Sequence, residues 1–138
     1  MALKAGTAKV DITPPLGTIL SGAFFERRAI DVLDPLYARA LFLDDGRTQV
    51  AIVSCDLISL KNRTVAHVRT LISDKLGIPG KNLLIHCTHT HFGPPTTDVF
   101  LYEADEEYIA ILERNLVSVV ELAKILRQEA MVGFGIGR

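Results

Sequence analysis

The sequence has 138 residues, 49% hydrophobic and 22% charged, with a mean hydropathy of +0.28. That length suits one domain with a real core, and the same figures exclude an intrinsically disordered chain. Fifteen basic residues against sixteen acidic ones leave a net charge of −1, so no nucleic acid and no anionic membrane surface is indicated as a partner.

Met1-Ala2-Leu3-Lys4-Ala5-Gly6 lacks the apolar stretch of a signal peptide, and a cytoplasmic location is the default expectation. Lys9 to Thr13 reads as a short strand stopped by Pro14-Pro15. Leu16 to Leu33 shows neither helical nor strand period; it holds Gly17, Ser21-Gly22, Phe24-Phe25 and Glu26-Arg27-Arg28. It is longer than an idle connection, and such loops often carry function. Leu36 to Leu43 and Thr48 to Leu57 are strands, and Asp44-Asp45-Gly46-Arg47 between them is a hairpin turn.

The period then changes. Val65, Val68, Ile72 and Leu76 share a helical face, with Asn62 or Thr64 as the cap and Gly77 and Pro79 as the stop. Lys81 to Thr88 reads as a buried strand, and strand, helix and strand in that order make a βαβ unit with parallel neighbours. After a Gly/Pro/Thr loop from Phe92 to Asp98, a long helix begins near Asp105-Glu106-Glu107. Ile109, Leu112, Leu116, Val119, Val120, Ala123 and Leu126 keep its spacing, and Ala130 to Ile136 is expected as a last strand. The fold class is α/β, a mixed β-sheet with a βαβ unit and packing helices. No run of about 18 apolar residues is present to form a transmembrane segment.

Chemistry concentrates in Cys87-Thr88-His89-Thr90-His91-Phe92-Gly93-Pro94-Pro95. An H-x-H pair at a strand end puts both imidazoles on one side of the chain. Two such nitrogens are a half-site for Zn²⁺, which takes three or four ligands. The alternative is a pair that merely ends a strand, bonded to nearby backbone. Asp56, ending the neighbouring strand, either orients a ligand histidine, binds a metal itself, or accepts bonds in the turn before the helix. His89 and His91 are expected in one cleft with Asp56 close by. His86, three residues before His89, is expected to face away into packing, and His67 to be structural or exposed. Phe24 and Phe25 either flank the same cleft as apolar surface or plug the core beneath their loop. Cys55 and Cys87 are too few for a disulfide scaffold; reduced, buried thiols are expected, with a single bridge as the alternative. Ser54 and Ser59 lack a G-x-S-x-G frame, and Gly133-Phe134-Gly135-Ile136-Gly137 lacks dinucleotide-binding spacing.

The block Thr88-His89-Thr90-His91-Phe92-Gly93-Pro94 resembles the zinc-binding signature of the neutral/alkaline (non-lysosomal) ceramidase family. Three upstream segments resemble that family in order. They are Gly6 to Pro14, Asp34-Pro35-Leu36-Tyr37-Ala38-Arg39-Ala40, and Val53-Ser54-Cys55-Asp56. The resemblance implies that residues 1–138 form the N-terminal portion of a ceramidase-like catalytic domain. It implies Zn²⁺ as cofactor, His89 as a metal ligand, and His91 as the catalytic residue that faces the substrate and stabilises the oxyanion. The reaction implied is hydrolysis of a hydrophobic N-acyl lipid, N-acylsphingosine, to fatty acid and sphingoid base. The family's remaining ligands, a His, a Glu and a Tyr, lie downstream of anything matched, and no histidine follows His91. Phe92 stands where the family usually has serine, which makes the pocket edge more apolar. The chain alone is therefore expected to be inactive, with the downstream part of the domain, or a copy of itself, as partner. Two other readings stay open: a catalytically incomplete binding or structural module, and an unrelated metal-dependent hydrolase using Asp56, His89 and His91.

Overall fold

Strands β1 (Lys4–Asp11), β2 (Tyr37–Asp44) and β3 (Gln49–Cys55) form an antiparallel meander, with Ala8 opposite Ala40 and Ala40 opposite Val53. The computed structural model describes residues 2–98 and 101–137. The β2–β3 turn is set by its aspartates: Asp44 accepts from the Gly46 N–H at 2.8 Å and Asp45 from the Thr48 N–H at 2.7 Å. Helix α1 (Asn62–Leu76) then crosses to β4 (Leu83–Cys87), which lies parallel to β3 from Ala51↔Leu83 to Cys55↔Cys87. Helix α2 (Glu106–Ile125) returns to the other edge, where β5 (Gln128–Glu129) pairs with Lys4 and Ala5. The sheet order is β4-β3-β2-β1-β5, a mixed α/β sheet. No helix among the described residues is long and apolar enough to cross a membrane.

Both helices lie on one face. Ala38, Ala40 and Phe42 of β2 and Ala51, Val53 and Cys55 of β3 are buried against Val68 and Ile72 of α1 and Leu112, Leu116 and Val120 of α2. The other face carries no described helix or strand. There Thr7, Leu41, Ile52 and Leu84 run across the sheet in register, and so do Lys9, Arg39, Ser54 and His86. His86 is exposed in that row, which corrects the expectation that it packs; its strand face has no covering layer.

Three element readings are also corrected. The first strand begins at Lys4, not Lys9, because α2 lies so close to β1 that Gly6 and Ala8 serve as strand residues. The cap position of α1 is Lys61, without a side-chain capping bond, and Thr64 is buried instead. Regular pairing at the end of the chain stops at Glu129, and Met131, Phe134 and Ile136 are exposed. Gly133, Gly135 and Gly137 weaken a strand there, since glycine loses the most conformational freedom on ordering and offers no side chain to pack.

Candidate functional site

The C-terminal ends of β3 and β4 lie side by side, and the chain leaving each strand is tied to the other. Thr88 N–H donates to the Cys55 carbonyl at 2.9 Å, and His89 N–H donates to the Leu57 carbonyl at 3.0 Å. Beyond them, the buried Thr96 hydroxyl donates to the Ser59 carbonyl at 2.5 Å, and Ser59 shares a 2.9 Å bond with Thr97. The Gly93–Thr96 segment is buried, so the histidine block is anchored at both ends.

His89 has φ 64°, the only described non-glycine residue in the left-handed region. Such a backbone is sparsely populated and persists where surroundings enforce it. Its Nδ1 lies 2.9 Å from the Ile58 carbonyl oxygen. A carbonyl only accepts, so in the neutral ring Nδ1 carries the hydrogen and Nε2 holds the lone pair. This is how a ligating imidazole is oriented by a second hydrogen bond. The His91 ring sits 5.2 Å from that of His89, edge-on at 68°. The two imidazoles are thus brought together, though not by strand alternation: β4 ends at Cys87, and the turn at His89 does the placing.

Asp56 makes no hydrogen bond to either ring among the described residues. Its Oδ2 accepts from Arg39 Nη1 at 2.7 Å and from the Tyr37 N–H at 3.0 Å, and its Oδ1 faces the Thr88 hydroxyl at 3.4 Å. Phe24, Phe25 and Phe92 are 77%, 66% and 65% exposed, so neither Phe24 nor Phe25 plugs the core. A groove of ≈ 510 Å³ runs beside the histidine block, lined by Thr90 and Phe92 with Leu20, Val32, Leu33 and Leu36. Phe24 and Phe25 stand outside its lining. His67 lies elsewhere, its Nδ1 2.7 Å from Glu113 between the two helices.

The cysteines are free and face each other across β3 and β4. Burial pushes the Cys55 thiol up to about 12 and the Cys87 thiol up to about 11, so both stay protonated at neutral pH. Among the described residues no group of three or more His, Cys, Asp or Glu is arranged to hold a metal ion. The donor set therefore fits a partial site: one imidazole with its lone pair freed, and a second beside it.

Sequence reasoning missed the Ile58 carbonyl, since a backbone oxygen has no residue signature. It also missed the two loop contacts on His91, from Gly22 and Arg27. The only available signal was their place in a long irregular loop.

No protein-family model matches the sequence, and no curated protein matches it. Solved structures do. The structure of neutral ceramidase from Pseudomonas aeruginosa superposes with a TM-score of 0.81 at 19% identity, over 94% of this chain. A ceramidase complexed with C2 gives 0.80 at 19% identity, again over 94% of this chain. The fold is that of part of a neutral ceramidase. The chain spans 22% of the length of each of these ceramidase structures.

Proposed function

We propose that this chain carries the histidine part of a zinc-dependent amide hydrolase site for ceramide-like N-acyl lipids. One observation supports it above the rest: the Nδ1–H bond from His89 to the Ile58 carbonyl, which leaves Nε2 free on a ceramidase-like fold. In this reading His89 Nε2 is a metal ligand. Zinc in such a site polarises a carbonyl oxygen and lowers the pKa of bound water to about 7. His91 faces the substrate carbonyl and donates a hydrogen bond to the developing oxyanion, a contact worth about 2.7–4 kcal/mol when removed. The groove lined by Leu20, Val32, Leu33, Leu36 and Phe92 offers apolar surface to the acyl chain. Phe24 and Phe25 extend that apolar character along the outside of the loop.

A catalytic zinc site has three protein ligands and an open position. One ligand imidazole falls short, so in this reading the further ligands come from outside the described residues. Asp56 is engaged within the fold, its Oδ2 with Arg39 and the Tyr37 N–H and its Oδ1 with the Thr88 hydroxyl, so in this reading it supports the block rather than ligating. This geometry also disfavours the unrelated hydrolase built on Asp56, His89 and His91.

The test has two parts. Zn²⁺ is titrated into the chain while the histidine ring resonances are followed. The chain is then joined to the remainder of a ceramidase-like catalytic domain, and the extended protein is assayed for N-acylsphingosine hydrolysis. His89 and His91 respond to the metal while His67 and His86 do not, and His89→Ala removes both the response and the turnover. An extended, zinc-loaded protein that leaves N-acylsphingosine intact would point to the incomplete binding module instead.

A further inference from the structure

We propose that Gly22 and Arg27, on the loop preceding β2, are positioning residues that fix the His91 imidazole at the site. What His91 then does rests on the functional reading above; the positioning itself rests on contacts of this chain. His91 belongs to no helix or strand and its side chain is exposed, so core packing does not hold it.

Gly22 lies directly under the ring. A Cβ at this position would stand 2.6 Å from His91 Cγ, 2.8 Å from its Nδ1 and 3.0 Å from its Cβ. Gly22 also has φ 90°, a conformation that other residues resist. Any side chain here drives the imidazole out of its seat and strains the backbone as well. Arg27 fixes the other end: its Nη2 donates to the His91 carbonyl at 2.8 Å, and its guanidinium lies 4.9 Å from the Phe92 ring centre.

Nothing else accounts for Arg27. It enters no ion pair among the described residues, and its buried Nε has no hydrogen-bond partner. The adjacent Glu26 carboxylate is taken by Arg28 at 2.7 Å. The cation is therefore spent on two consecutive residues of the histidine block. Ser21 completes the seat: it is 1% exposed, and its N–H and hydroxyl both donate to the Gly93 carbonyl, at 2.9 and 3.2 Å.

The loop is itself built to hold this shape. Ile19 pairs with Arg28 as an antiparallel bridge, Leu20 N–H donates to the Arg27 carbonyl at 2.8 Å, and Ala29 N–H donates to Thr18 at 2.9 Å. It acts as a rigid saddle that presents Gly22 and Arg27 together. Misplacement of a reacting group by about 1 Å can lower a rate about 100-fold, so such a saddle matters to any chemistry His91 performs.

The experiment labels histidine in the 138-residue chain and compares wild type with Gly22→Ala, Arg27→Gln and Arg27→Lys. In Gly22→Ala and Arg27→Gln the His91 ring resonance shifts toward its unfolded position, while those of His67 and His86 stay in place. Arg27→Lys, which keeps one charged donor, recovers part of the shift. If Gly22→Ala does not fold, Arg27→Gln decides alone. A His91 resonance unmoved in Arg27→Gln overturns the proposal, and so does a displacement shared by all four histidines, which would mark general loosening. A His89 ring resonance that does not respond to titrated Zn²⁺, with His91 shifted as expected in Arg27→Gln, defeats the functional reading and leaves the positioning intact.

Discussion

At the scale of single residues, His89 combines an unfavourable backbone with an oriented ring. A left-handed conformation costs a residue with a Cβ about 1–2 kcal/mol. His89→Gly relieves that cost and His89→Ala does not, while both lose the bond to Ile58. His89→Gly should therefore be more stable than His89→Ala by about 1 kcal/mol in urea unfolding, and equally unable to bind zinc. Equal stabilities would show that φ 64° is unstrained here. The buried thiols give a second expectation. Both carry folded values above the ordinary 9, so the folded chain keeps protons that the unfolded chain releases. Their stabilising contribution is whole below pH 9 and declines as pH rises from 9 toward 11–12, at about 1.4 kcal/mol per pH unit for each thiol. Urea midpoints at pH 8, 9 and 10 should fall, and the fall should be shallower in a Cys55→Ala/Cys87→Ala variant. The H-x-H pair was legible in the sequence because two imidazoles announce their chemistry. The oxygen that orients one of them was not, since every residue has a carbonyl.

At the scale of elements, what could be read followed from what a pattern can encode. Helix α2 was plain from the spacing of Leu112, Leu116 and Val120 and from Asp105, whose carboxylate accepts the Tyr108 N–H at 3.0 Å. Asp105→Ala should cost about 0.5–2 kcal/mol, measurable as a lowered unfolding midpoint, as for other lost caps. The cap of α1 was misread because Asn62 and Thr64 are capping residue types, yet the helix starts at Asn62 and the cap position falls on Lys61, whose amine pairs with Asp98 at 2.8 Å. The first half of β1 was hidden by a packing requirement. Gly6 is a poor strand former, but a Cβ there would collide with the Ala123 carbonyl and with Arg127 N at 2.8 Å. Sequence pattern records propensity and cannot record that a helix will press on that position. Gly6→Ala should destabilise the chain by about 1–3 kcal/mol, the range for overpacked sites, and a neutral effect would mean that α2 shifts freely on β1.

At the scale of the whole molecule, the two helices cover one face of the sheet and the row Thr7, Leu41, Ile52 and Leu84 lies on the other, under no described helix or strand. Sheets with a partly apolar open face are prone to association. At the site the two imidazoles lie edge-on 5.2 Å apart, and no group of three His, Cys, Asp or Glu is arranged to hold a metal among the described residues. The chain spans 22% of the length of the ceramidase structures it resembles, and under the proposed function the further ligands lie outside the described residues. The purified chain should then take up little stoichiometric zinc, show no measurable N-acylsphingosine hydrolysis, and self-associate in sedimentation. An Ile52→Lys/Leu84→Lys variant should remain monomeric, because its charges stand in the centre of the open face while the helical core is untouched. Sedimentation as a monomer by wild type would show that this face is adequately solvated as it is. Zinc-dependent turnover by the chain alone, abolished by His89→Ala, would refute the shortfall at the site. In that event the remaining ligands must come from carboxylates that other pairs now hold, Asp56 with Arg39 foremost, and loss of the Arg39 pair on adding zinc would identify it.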